Sequence, residues 1–559
     1  MTSDSAATFY RTAILAQVPR VLSLMDRERL SPTSGCCDRT FWAWKFVDLP
    51  RSRFQEALCV LGFLYATPLP ESTYHKNPQL LEWIEFGLRF WASIQHRDGS
   101  FDEAYPFERS LAATAFTTFY VGECLRFVEP GLSADTRSLA HSAMARAGRW
   151  LARNDETHGF LSNHLAAAAA ALLHAHRASG DALFQRRARY FLERILRHQS
   201  REGWYLEYGG ADPGYQTHGS FYLARCWQML GEAQLEASLT RSMDFLAHFV
   251  HADGSLGGEY ASRNTQTYYP AAFEMMASRS PAASWIAERM RPSLENAAAA
   301  SLRCIDSYNY FPFLNNYVFA YLACADAARS ALTPQEPSAS AGLCWFPEAG
   351  IARVRRERFD AYVGTAKGGT LKVFDRRQGR LVYSDCGYIG VLKGGRLFSS
   401  QYQDARLPVE VREDRVTLER DFCEVTRPVP SPFAFLLFRL FMLTLGRIPA
   451  LARWVKNLLV SVLIYRKRRV AVRLRRVIVL SDVEIRVSDH LSGPGGVRAE
   501  SLRWEQMFTT VHMGSSRYFI PNELQPCFHA SGDVQRELPP ERIASGLSLE
   551  RRVRFDGEA

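Results

Sequence analysis

The feature that most constrains this chain is a change of period near residue 333. Before it, apolar residues recur at three- and four-residue spacing. WIEFGLRFWASIQ (83–95), SLAATAFTTFYVGECLRFV (110–128), HLAAAAAALLHAHRASG (164–180) and SFYLARCWQMLGEAQ (220–234) all read as helices. After it come short β-branched or aromatic runs broken by Gly or charge, such as RFDAYVGTA (358–366), RVTLERDF (415–422) and SLRWEQMFTTVHM (501–513). Helices in one block and strands in another exclude an alternating α/β sheet and predict an all-α domain followed by an all-β domain. The segment TPQEPSASAG (333–342), rich in Pro, Ser and Ala, is the expected linker. At 559 residues the chain is long enough for two large cores.

Within the helical block, 1–332, a turn recurs: IQHRDGSF (94–101), HQSREGWY (198–205) and VHADGSLG (250–257). Each is a helix end, a short polar turn with Gly, then an apolar residue. A helix pair repeated at this spacing cannot bury its own apolar face, so the pairs must stack. Closing the stack gives an (α/α) toroid with its turns on the rims. For 343–559 the strand pattern predicts an antiparallel β-sandwich, interrupted by an apolar helical insertion at 431–466. That insertion and the basic run after it, SPFAFLLFRLFMLTLGRIPALARWVKNLLVSVLIYRKRRVAVRLRR (431–476), lack a clean window of about 20 apolar residues for a membrane-crossing helix. Two readings stay open: helices lying in an anionic membrane surface, with Arg466 to Arg469 facing lipid phosphates, or an insertion packed on the sandwich or on a second subunit. Alternating basics in RVAVRLRRV (469–477) equally suit an exposed strand face.

A net charge of +10 favours an anionic partner, but no paired Cys/His finger, RNP motif or basic heptad region is present, so nucleic acid ranks last. Eleven cysteines without CxxC spacing, and an N-terminus without a basic and apolar leader, lead us to expect reduced thiols in a cytoplasm. Contact of 431–476 with lipid would make that placement peripheral at an inner membrane.

The stretches LSNHLAAAAAALLHA (161–175), EYGGADPGYQTHGSFYLA (207–224), GTLKVFDRRQGRLVYSDCGYIG (369–390) and RRVIVLSDVEIRVSDHLSG (475–493) together resemble the heparinase II/III-like and alginate-lyase-like polysaccharide lyases. The resemblance implies an α-toroid followed by a β-sandwich. It also implies an Asn that neutralises a uronate carboxylate, here Asn163 beside His164, and a Tyr that moves protons, here Tyr215 after a loop carrying Glu207. Abstracting a proton next to a carboxylate builds an enolate-like dianion, which needs fixed donors plus an acid and a base. One element is missing. Where many relatives carry a His-rich turn that supplies a catalytic or metal-binding histidine, this chain reads VGTAKGGTLKVFD (363–375), with Lys367 and no His. No metal site and no cofactor are carried over, and His218 or His512 are the candidate substitutes.

Further candidates come from the turns. Trp204 lies near Glu207. GGEYASRNTQTYYPAAFE (257–274) offers Arg263 to pair a carboxylate, and Tyr268 and Tyr269 to stack on sugar faces. FDEAYPFERS (101–110) and SYNYFPFLNNYVFA (307–320) add aromatics and amides at corresponding turns. In GCCDRTFWAWKFVDLPRSRFQE (35–56) the simpler expectation is a helix packing Trp42 and Trp44 into the sandwich. The alternative is a sugar subsite using Arg39 or Arg53. The expected activity is β-elimination, or C5 epimerisation through the same carbanion, on an acidic polysaccharide or lipid-linked glycan. A non-catalytic binding or assembly protein stays open. So does an (α/α) glycoside hydrolase, which needs two facing carboxylates from Asp98, Asp102, Glu207 or Glu259.

Overall fold

The computed structural model of the chain describes residues 3–156, 159–207, 209–326, 331–336, 341–426, 429–460, 468–493, 499–510, 517–524, 530–532 and 537–555. The helical block is built from pairs: α1 (Ser3–Leu24) with α2 (Ala57–Ala66), α3 (Pro78–Ser93) with α4 (Leu111–Val128), and α5 (Ala134–Arg153) with α6 (Ser162–Ser179). The pattern continues with α7 (Ala182–Arg197) and α8 (Pro213–Leu230), α9 (Ala233–Ala247) and α10 (Ala271–Met276), and α11 (Pro281–Glu295) and α12 (Ser307–Ala325). The even-numbered helices pack on one another in sequence, and α12 returns to α2, so six inner helices close a ring. The odd-numbered helices lie outside it.

Sequence sorts the two layers. An outer helix such as α7 buries one stripe, Phe184, Ala188, Phe191, Leu192 and Ile195, and leaves its arginines outside. The inner α6 is buried from Leu165 to Ala175 on every side, and its alanines let α4, α5, α7 and α8 approach closely. Two of the repeated turns, at 94–101 and 198–205, share one construction. Gln95 Nε2 donates to the carbonyls of Gly99 and Ala143 at 3.0 Å each, and Gln199 Nε2 does the same to Gly203 and Ser238, at 3.0 and 2.9 Å. Gly99 and Gly203 have φ near +100°, and a Cβ on either would lie 2.2 Å from a carbonyl oxygen of the next outer helix.

The strand block forms two antiparallel sheets around one core. The first is β1 (Gly342–Phe346), β2 (Ile351–Arg355), β3 (Phe359–Gly364), β4 (Thr370–Asp375) and β5 (Arg380–Asp385), in that order. The second holds β6 (Tyr388–Leu392), β7 (Arg396–Ser399), β8 (Val409–Arg412), β9 (Arg415–Val425), β10 (Arg469–Leu480) and β11 (Glu484–Ser492). It is completed by β12 (Ala499–Trp504), β13 (Ala530–Gly532), β14 (Glu537–Leu538) and β15 (Leu547–Arg554). Every residue of β2, β3 and β4 is buried. One face of that sheet joins the sandwich core, while Ile351, Tyr362 and Phe374 on the other join the toroid core. The first sheet is therefore the middle layer, which is why these strands lack an exposed polar face.

The run RVAVRLRRV resolves by register. Arg469, Arg473 and Arg475 sit on the exposed face of β10, and Arg469 and Arg473 pair with Asp421. Arg476 points inward and is fully buried, held by Asp489 at 2.8 Å and Asp385 at 3.2 Å, with Arg551 closing the same network.

The insertion between β9 and β10 is a helical hairpin, α13 (Pro432–Leu443) and α14 (Pro449–Val460), and it leans on the toroid rather than on the sandwich. Arg439 pairs with Asp48 at 3.2 Å, Phe438 meets Tyr105 edge-on, and Lys456 lies 3.5 Å from Glu108. Arg109 Nη2 donates to the Arg447 carbonyl at 2.9 Å. Arg466 and Lys467 lie outside the described residues. Among the described residues no helix is long and apolar enough to cross a membrane. The expectation for Trp42 and Trp44 is corrected. Trp42 donates its indole N–H to the Leu24 carbonyl at the end of α1, and Trp44 is 66% exposed.

Candidate active site

All six connections from an outer to an inner helix emerge on one rim, and a cavity of about 500 Å³ opens there. Each inner helix contributes at or near its N-terminus: Arg53 before α2, Ser110 and Phe116 of α4, Asn163 and His164 of α6, and Tyr215 and His218 of α8. Thr267 and Tyr269 come from before α10, and Asp306 and Tyr308 from the start of α12. Aligned peptide dipoles give such a rim a positive potential, suited to an anion.

Local contacts set the side chains. Asp212 caps α8 through the Tyr215 N–H (3.0 Å), and its other oxygen accepts the Arg263 N–H (2.8 Å), tying the 257–267 loop to that helix. Gly214 permits this approach, since a Cβ there would lie 2.3 Å from the Thr265 carbonyl oxygen. The Arg263 guanidinium rests over the Tyr215 ring, 3.7 Å from its centroid. Glu207 sits behind the wall. It accepts the Asn163 N–H at 2.8 Å, the Asn163 amide at 3.4 Å, and lies 3.9 Å from Arg263. Burial, opposed by Arg263, pushes its carboxyl up to about 8.

Burial, with Arg53 and His164 nearby, keeps His218 well below the usual histidine range, so its imidazole is neutral. It stacks on Tyr269 at 4.2 Å and its Nε2 meets the Tyr222 hydroxyl at 3.0 Å. Tyr222 in turn donates to Tyr120 at 3.3 Å. Nε2 therefore carries the proton, which leaves Nδ1 as the basic nitrogen. His164 Nδ1 bonds Glu156 at 2.7 Å.

Seven of the residues singled out from the sequence, Arg53, Asn163, His164, Tyr215, His218, Arg263 and Tyr269, line this cavity. Glu207 supports it from behind. Trp204 and Tyr268 do not reach it: Trp204 donates to Glu202 at 3.0 Å, and Tyr268 is buried on Phe273. His512 lies outside the described residues. None of Asp98, Asp102, Glu207 and Glu259 lines the cavity either, so the carboxylate pair considered for a hydrolase is not assembled from them. Glu259 forms an ion pair with Lys372 at 2.5 Å, and Asp102 holds the 101–110 loop through the N–H groups of Phe107 and Arg109.

Among these, Arg53 is the residue considered from the sequence for an alternative sugar subsite, and Asp306 and Tyr518 join the wall without a sequence signal. Arg53 bridges Glu56 and Glu103 at 2.9 and 3.2 Å, while Tyr518 arrives from the connection between β12 and β13 and donates to Asp306 at 2.7 Å. Lys456 comes from the insertion. Lys367 is buried, and its ammonium donates to the Ala261 carbonyl at 2.8 Å, so the sandwich turn grips the loop that carries Arg263. Among the described residues no three His, Cys, Asp or Glu side chains converge as a metal-ion set.

No protein-family model matches the chain, and no curated protein matches its sequence. Solved structures do resemble it. A xanthan lyase from Paenibacillus matches with a TM-score of 0.52 and 11% identity, over 90% of this chain and 47% of that one. The chondroitin AC lyase of Streptomyces coelicolor A3, solved with chondroitin sulphate, matches with a TM-score of 0.52 and 12% identity, over 89% of this chain and 67% of that one. The chain thus spans about half the length of the first. At these identities the likeness is one of fold: a helical toroid followed by antiparallel β-sheets, as in these polysaccharide lyases.

Proposed function

We propose that the chain is a polysaccharide lyase that performs β-elimination on an acidic polysaccharide. The observation that carries this reading is the convergence of Asn163, Tyr215, His218 and Arg263 around one cavity, on a fold that resembles lyases of xanthan and chondroitin. Arg263 and the Asn163 amide neutralise the uronate carboxylate. A protonated Glu207 can donate to the amide oxygen of a turned-over Asn163, freeing the amide N–H₂ for substrate. Neutral His218 and Tyr215, on the first two turns of α8, serve as base and acid. One takes the proton at C5, electrons form the C4–C5 double bond, the C4–O bond breaks, and the other protonates the departing oxygen. Epimerisation uses the same carbanion and returns the proton on the opposite face, and a binding or assembly protein would use the cavity without chemistry.

Incubation with acidic polysaccharides should give the ultraviolet absorbance of a 4,5-unsaturated uronate, and Tyr215→Phe should lower it by about 10²-fold or more. Reducing ends without that absorbance, or solvent deuterium at C5 without cleavage, would replace the lyase reading with hydrolysis or epimerisation.

We also read the α13–α14 hairpin as the face that meets an anionic lipid surface, which suits a lipid-linked glycan and a place at an inner membrane. Phe433, Leu436, Leu440, Leu445, Ile448 and Trp454 are each more than half exposed. From 431 to 460 the chain has no Asp or Glu and four Lys or Arg, a balance that suits anionic lipid. Sedimentation with anionic vesicles checks this, and a chain that stays in the supernatant contradicts it.

A further inference from the structure

We propose that a second pocket, adjoining the first at Lys456, is a subsite for another acidic sugar of the same polysaccharide. The inference rests on the acidic-glycan reading of the first cavity. The pocket encloses about 690 Å³ between the outer surface of α5 and the insertion helix α14, and it shares Glu108, Glu156 and Lys456 with the first cavity.

Its charges are unbalanced in a telling way. Every carboxylate in its wall is engaged: Asp98 with Arg109 at 3.3 Å, Asp155 with Arg194 at 2.6 Å, Glu108 with Lys456 at 3.5 Å, and Glu156 with His164 at 2.7 Å. Arg149 and Arg153 of α5, Arg97 of the α3–α4 connection and Arg453 of α14 line the same space, with no hydrogen bond or ion pair to the described residues. Arg146 meets only the neutral groups of Gln95 and Ser142. Like charges gathered around one pocket repel, and a carboxylate or sulphate bound there relieves that repulsion through charge-assisted, bidentate hydrogen bonds. Trp150 adds an aromatic wall for a sugar face.

Continuity selects the occupant. A chain whose uronate lies between Asn163 and Arg263 can pass Lys456 and Glu156 into this pocket. The substrate is then a polyanion bearing acid groups on more than one nearby sugar, not a neutral chain with an isolated uronate. The pocket is also incomplete without the insertion, which supplies Arg453 and Lys456.

Calorimetric titration of the full chain with polygalacturonate and with chondroitin sulphate at low ionic strength tests this. Arg149→Gln with Arg153→Gln, both exposed positions, should weaken binding by about tenfold or more and flatten its salt dependence. Arg186→Gln, on the outside of α7 and away from the pocket, should change it by less than about twofold. Unchanged binding in the double variant overturns the subsite. So does failure of the wild type to bind either polymer, or a double variant that loses anionic vesicles while keeping polymer. Arginine-dependent polymer binding without any unsaturated product would leave the subsite standing and remove the lyase reading.

Discussion

Glu207 holds a carboxyl group where protonation is favoured over charge, because it is buried and only partly compensated by Arg263. Its folded-state pKa is raised from 4.5 to about 8, so the stability it contributes is present at low pH and lost as pH rises through that window. Relative to Glu207→Gln, the wild type should lose about 1.4 kcal/mol per pH unit across that range and level off above it. Denaturant unfolding at a series of pH values measures this, and a constant difference between the two proteins contradicts it. Residues of this kind were only partly legible in the sequence. Asn163, Tyr215 and Arg263 stood out because their types and loops match a known chemistry. Trp204 and Tyr268 stood out equally, yet both serve the ring core, since an aromatic side chain suits a hydrophobic interior as well as a sugar face. Glu156, Asp306 and Tyr518 gave no signal, because each reaches the cavity from a segment whose neighbours look like ordinary chain.

At the scale of elements, the periodicity separated helices from strands, and the Gly turns marked the outer-to-inner connections. What it did not give was the docking of the insertion. SPFAFLLFRLF (431–441) is apolar on nearly every side, so no stripe tells which face meets protein. That choice is made by the few polar residues: Arg439 and Lys456 pair with toroid carboxylates, and the Arg447 guanidinium lies over the Phe107 ring. The remaining Phe and Leu side chains face outward, and membrane binding should depend on them. Replacing Leu436, Leu437 and Leu440 together by Ser forfeits about 1 kcal/mol each, which should weaken vesicle affinity about 100-fold. Equal sedimentation of wild type and triple variant would contradict the lipid-facing assignment. The missing histidine turn is also an element-scale matter. The turn between β3 and β4 carries Lys367, which grips the Ala261 carbonyl and does not line the cavity, so in this chain the turn is structural.

At the scale of the whole molecule, the ring brings residues from 53 to 518 onto one rim, and three layers lock that rim in place. The toroid core continues into the first sheet, whose other face is the sandwich core, so the two domains cannot slide without breaking both. A crystal structure of Tyr215→Phe soaked with an acidic tetrasaccharide tests the central claim most directly. The expected result is a uronate carboxylate within hydrogen-bonding distance of Asn163 and Arg263, with its C5 facing His218 and position 215. An oligosaccharide bound elsewhere, or one whose acid group turns away from Asn163 and Arg263, would contradict it.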